Sequence, residues 1–119
     1  MNDSTDPAAD EVGVDEMATL SQNPRSLKEL WLEYKYGLDG RKPAKDFTTK
    51  ERNQDSKMKQ KYYRRNIFWT CLAKMIRQGS TVDLAIEKVR ECYGFRCSVT
   101  KILGKMIADR KTGGHPNLA

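Results

Sequence analysis

The sequence predicts an all-α fold, a small bundle of three to four helices with a disordered acidic N-terminal tail. Three observations carry that expectation. Apolar residues recur every three or four positions in four separate stretches of the 119 residues, and no alternating strand pattern of useful length interrupts them. Hydroxyl residues stand three positions ahead of an acid at Ser26/Glu29, Thr48/Glu51 and Ser80/Asp83, the spacing of a helix-opening capping box. Charge is divided sharply along the chain. Residues 1–24 hold six acids and no Lys or Arg, whereas the rest hold all 22 basic residues against ten acids. That division reads as an acidic tail attached to a basic domain that meets a polyanion.

Three segments follow: a tail over 1–24, a helical domain over 25–111 and a flexible C-terminal tail over 112–119. The tail mixes Asn, Asp, Ser, Thr, Pro and Ala, with too few large apolar groups to offset the entropy of ordering. The first helix opens at Ser26, carries Leu27, Leu30, Trp31 and Tyr34 on one stripe, and stops at Gly37. Residues 37–45, with Gly40, Pro43 and the Arg41-Lys42 pair, form an exposed basic loop that Phe47 plugs back onto the core. Thr48 and Glu51 open a single helical turn, and residues 53–56 break it. The longest helix spans about Lys57 to Gln78 and ends at Gly79. Ser80 starts the next, with Val82, Ala85, Ile86, Val89 and Tyr93 as its apolar stripe and Gly94 as its stop. Ser98 caps the last, which turns Val99, Ile102, Leu103, Met106 and Ile107 inward.

Several function classes are disfavoured. No apolar run approaches the roughly 20 residues that cross a bilayer, and no basic or apolar leader opens the chain, so no membrane partner is expected. Cys71, Cys92, Cys97 and the lone His115 match no zinc-ligand spacing, so no metal or other cofactor is expected; Cys71 reads as a small hydrophobe. With one histidine and no nucleophile–base pairing, phosphate loop or paired carboxylates, the chain reads as no enzyme and takes no small-molecule substrate. Tyr62 or Tyr63 beside two arginines evokes a recombinase tyrosine, but that chemistry needs more Arg and His groups than this chain assembles.

The basic residues concentrate instead. Ten of the 25 residues from Arg41 to Arg65 are cationic, and five of them fall within the nine residues from Lys57 to Arg65. At about 100° per residue, Lys61 and Arg65 share the stripe that carries Phe68, Trp69, Leu72 and Ile76 further along, so one face turns from charged to apolar. A stripe of this kind leaves the core, pairs its charges internally, or meets an external anion. Lys57, Lys61, Arg64 and Arg65 are the first-choice DNA contacts, with Arg41 and Lys42 as backbone clamps. Each contacting cation releases counterions from the duplex, and Arg or Gln60 can read base edges. The competing placement for Arg65 is an internal salt bridge, for instance to Glu33 beneath Trp31. A second-choice surface is the helix–turn–helix-like pair over 80–110, presenting Ser98, Thr100, Lys101 and Lys105; an ordinary helical hairpin fits that segment equally.

The run Leu30-Trp31-Leu32-Glu33-Tyr34-Lys35-Tyr36-Gly37-Leu38-Asp39-Gly40, followed by Tyr63-Arg64-Arg65, resembles the C-terminal DNA-binding domain of the yeast glycolytic-gene transcription activator family. Trp31, Glu33, Tyr34, Gly37 and Gly40 fit that family's opening, and Arg64 with Arg65 fits its later aromatic-Arg-Arg. The likeness covers roughly residues 26–78. The family's intervening Trp-Arg step is replaced here by Lys45-Asp46-Phe47-Thr48 and Glu51-Arg52. The resemblance implies a nuclear, helical domain of a transcription regulator or mobile element that binds double-stranded DNA. The rival expectation is a protein–protein adaptor whose basic helix docks an acidic partner, and RNA binding ranks third.

Overall fold

Five side-chain caps set the helix starts in a computed structural model that describes residues 13–112. Ser26 opens α1 (Leu27–Lys35), Thr48 opens α2 (Thr49–Arg52), and Asp55 opens α3 (Ser56–Arg77). Thr81 opens α4 (Val82–Tyr93), and Ser98 opens α5 (Val99–Lys111). Each cap oxygen accepts a backbone N–H of the first turn, an arrangement worth about 1 kcal/mol. The full reciprocal box forms at Thr48/Glu51. At α1 only half of it forms, because the Glu29 carboxylate reaches back to the N–H of Arg25 rather than to Ser26. A 3₁₀ turn, Ala44–Asp46, precedes α2.

The start of α4 falls one residue later than the Ser80/Asp83 spacing predicts. Gly79, at φ +105, and Ser80 close α3: Gly79 donates to Ile76 O and Ser80 N–H to Met75 O. This paired closure engages the Ser80 backbone in ending one helix, so Thr81 begins the next.

The helix α3 is the central element, packed against α5, α4 and α1. Its Phe68, Trp69 and Leu72 are fully buried, together with Leu30 of α1, Val89 of α4 and Met106 of α5. Trp69 also donates its indole N–H to Leu30 O at 2.8 Å, which satisfies the one polar group on that ring. An aromatic ladder runs from Trp31 through Tyr34, Trp69 and Tyr62 to Phe47, with Arg52 over the Tyr62 ring. Phe47 thus plugs the loop onto the core as expected. Cys71 is half-buried on the apolar side of α3, where burial pushes its thiol up. Tyr93 ties α4 to α5 by donating to Asp109 at 2.7 Å; burial together with this bond pushes its phenol well above its ordinary value.

Residues 13–24, expected as part of a disordered tail, run as a strap across α1 and α2; residues 1–12 lie outside the described chain. Ala18 and Leu20 are buried. Lys42 N–H donates to Met17 O, Asp15 N–H to Glu51, and Ser21 N–H to Glu33. Two apolar anchors suffice because the strap's backbone groups bond to carboxylates already fixed in the bundle. At the other end Thr112 closes α5 by bonding to Asp109 O, and the rest of the expected C-terminal tail lies outside the described residues. No helix of the described residues is long and apolar enough to cross a membrane.

Candidate nucleic-acid interface

Arg65 is not on the surface. Its Nη1 donates to Glu33 Oε1 at 2.8 Å and its Nη2 to Ser21 O at 2.7 Å, while the other Glu33 oxygen accepts the Ser21 N–H. The side chains are 7% and 1% exposed, and the guanidinium is engaged by internal partners although its side chain lines the edge of a cleft. The fold can bury two opposite charges here because they pair and the Ser21 backbone gives each of them a further hydrogen bond. The contacts of Arg65 match the internal placement, the salt bridge to Glu33.

The two loop cations are engaged as well. Lys42 Nζ lies 2.7 Å from Glu51 Oε1, an oxygen that also accepts Thr48 N–H, while Glu51 Oε2 accepts Asp15 N–H. Burial pushes the Glu51 carboxyl up, but these hydrogen bonds and the Lys42 charge outweigh it and hold the group below its ordinary value. Arg41 bonds through Nε to Thr19 Oγ1 and through Nη1 to Leu38 O and Asp39. The loop itself is pulled tight at Gly37, φ +83, where a β-carbon would clash with the Arg41 carbonyl. Both cations thus tie loop and strap together, each with partners inside the fold.

The surface that remains is the N-terminal half of α3. Lys57, Lys59, Gln60, Tyr63 and Arg64 are all exposed there, and Lys61 is half-buried with its ammonium 3.3 Å from Gln22 Oε1. Arg64 has no hydrogen-bond or ion-pair partner among the described residues. Its guanidinium lies over Gly104 of α5, with Nη2 4.0 Å from where a β-carbon would stand. Two clefts meet at Arg64 along the α3–α5 seam. One is lined by Lys61, Arg64, Thr100, Gln22 and Asn23, the other by Gln60, Tyr63, Arg64, Ile107 and Lys111. A third cleft, on the opposite flank of α3, is lined by Arg52, Lys59, Gln60, Tyr63 and Asn66. This half of the helix therefore stands as a ridge between grooves.

The second-choice residues divide in the same way. Ser98 Oγ caps α5 by accepting Lys101 N–H. Lys105 Nζ donates to Tyr93 O, the last residue of α4, where the helix dipole favours a cation. Thr100 and Lys101 are exposed, and Thr100 lines the same cleft as Arg64. Two surfaces that sequence reasoning offered as alternatives therefore meet in one. Gln22, Asn23 and Lys111 escaped that reasoning; the only hint for the first two was Leu20, a large apolar residue ahead of the Ser26 cap.

The family model described as "Transcriptional activator of glycolytic enzymes" matches residues 19–92, more than half of the chain. The chain belongs to this family. The glycolytic-activator match begins inside the strap and ends within α4, so α5 lies beyond it. No curated protein and no solved structure matches the chain. The residues that carried the family resemblance are mostly internal. Trp31 and Glu33 are buried, Tyr34 stacks on Trp69, Gly37 allows the loop's close approach, and Arg65 closes on Glu33. Of the motif's two arginines, Arg64 faces outward.

Proposed function

We propose that this domain of a transcription-activator family binds double-stranded DNA with sequence preference in the nucleus, without catalysis. The N-terminal half of α3 enters the major groove. Arg64 makes the central base contact, with Gln60 and Tyr63 beside it; Lys57, Lys61 and Lys101 contact phosphates. The observation that carries this reading is the divergence of two adjacent arginines: Arg65 is held inside by Glu33, and Arg64 is exposed and unpaired between two clefts. A planar cation presented on a ridge suits bidentate contact with guanine O6 and N7, and the lysines around it supply the counterion-release term.

The test is selection from a randomised duplex pool at two salt concentrations, read by fluorescence anisotropy. A short enriched motif is expected, with affinity falling steeply as salt rises. Lys57→Ala with Arg64→Ala should weaken binding, relax the base preference and reduce the salt slope by about 1, the Lys57 phosphate contact, while helicity is kept. Weak binding without enrichment would reject DNA reading in favour of an adaptor that docks an acidic protein.

A further inference from the structure

The strap ahead of α1 reaches the same cleft as Arg64, and its geometry is set from both ends. Behind it, Arg65 Nη2 donates to Ser21 O at 2.7 Å and to Gln22 O at 3.3 Å, while Glu33 accepts the Ser21 N–H at 2.7 Å. Ahead of it, Pro24 confines the backbone of Asn23 to extended conformations. The result is a rigid segment whose Gln22 and Asn23 are both exposed and both line the cleft with Lys61, Arg64 and Thr100. The Asn23 carboxamide has no hydrogen-bond partner among the described residues, and that of Gln22 is engaged only by the Lys61 ammonium, at 3.3 Å.

We infer that Gln22 and Asn23 form a second base-reading element, recognising an adenine beside the bases read by α3, and that Arg65 is the positioning residue that holds them there. This rests on the DNA-binding reading above. A carboxamide offers one donor and one acceptor in a plane, which matches adenine N6 and N7. Exposed amides on a loose tail would lose their gain to the entropy of ordering; on a strap pinned by a buried ion pair and a proline that loss is already met by the fold. The buried Arg65 thus contributes to recognition without touching DNA.

The experiment compares the motifs selected from one randomised duplex pool by the full chain, by Gln22→Ala/Asn23→Ala, and by Arg65→Lys. The alanine pair changes only exposed side chains. It should keep the bases read by α3 and lose on the order of tenfold discrimination at one flanking A·T pair, with the salt slope unchanged because both residues are neutral. Arg65→Lys keeps a cation for Glu33 but loses the second arm to Ser21 O and Gln22 O. It should blur the same flank while retaining helicity and the rest of the motif. An unchanged motif in the alanine pair, or a uniform loss of affinity across sequences, would overturn base reading by the strap. A folded Arg65→Lys with an intact flank preference would overturn the positioning role. If the full chain itself enriches no motif, the DNA-binding reading fails, and this inference with it.

Discussion

From Ser56 to Arg64 the helix α3 exposes Lys57, Lys59, Gln60, Tyr63 and Arg64, whereas from Arg65 to Met75 it buries Arg65, Ile67, Phe68, Trp69, Leu72 and Met75. The two halves share one backbone and one set of helical hydrogen bonds. They differ in what surrounds them. The C-terminal half turns most of its side chains into the core, and the N-terminal half, anchored by Met58 and Tyr62, presents its cations beside clefts. The division is sharpest at the adjacent arginines, where a rotation of about 100° separates a side chain aimed at Glu33 from one lying over Gly104. Cation density along a sequence therefore measures two things at once, and only burial separates them.

The strongest way to break that contrast is to remove the buried member. Arg65→Ala leaves the Glu33 carboxylate buried without its cation and frees the Ser21 and Gln22 carbonyls. The expected loss is about 3–5 kcal/mol of stability, most of what a domain of this size has. Urea unfolding followed by circular dichroism would measure it, and a loss under 1 kcal/mol would place Arg65 in solvent.

A smaller effect is expected where the loop meets the strap. Lys42→Ala removes one of the bonds to the buried Glu51 carboxylate, at a cost of about 1–3 kcal/mol. The pH dependence follows in sign. Glu51 titrates below its ordinary value of 4.5 in the folded protein, so its contribution is fully present above that value and is lost as pH falls through the lowered one. The stability gap between the wild type and Glu51→Gln should therefore stay level near neutrality and narrow only below pH 4.5. A gap that widens on acidification would mean the carboxyl is raised instead.

The fold was legible where its causes are local. Apolar periodicity marks α1, α3, α4 and α5, capping residues mark α1, α2 and α5, and the shift of a start from Ser80 to Thr81 arises because the end of α3 takes the Ser80 backbone. The strap was not legible, because its ordering depends on carboxylates and a guanidinium far along the chain, at Glu33, Glu51 and Arg65, rather than on its own composition. The candidate site was half legible for the same reason. The density of cations from Lys57 to Arg65 located the helix, but which of them were engaged depended on partners that spacing alone leaves open. The stripe shared with Phe68 and Trp69 raised the internal placement for Arg65 and not for Arg64, but the choice between Glu33 and an external anion needed three dimensions.

Near Arg64 itself the expected effects on stability are the smallest. Gly104→Ala places a methyl group 4.0 Å from the Arg64 guanidinium, an ordinary contact, and removes a glycine from the interior of α5. It should stabilise the domain by about 0.5–1 kcal/mol and leave DNA affinity unchanged. A destabilised variant would mean that α5 approaches α3 more closely at that point than van der Waals contact allows.

Arg64→Ala should change stability by less than about 0.5 kcal/mol, because the side chain is exposed and no described residue depends on it for a partner. Its effect belongs to binding: about 1–3 kcal/mol of affinity for the selected duplex and a relaxed preference at one base pair. Measured beside Arg65→Ala, it yields a crossed pair, one arginine whose loss is felt in unfolding and one whose loss is felt only when DNA is present. Arg64→Lys sharpens the distinction further, since a lysine retains the charge and the phosphate attraction but not the planar fork. If Arg64→Lys binds the selected duplex as tightly and as selectively as the wild type, the guanidinium acts as a charge alone, and base reading must come from Gln60, Tyr63 or the strap.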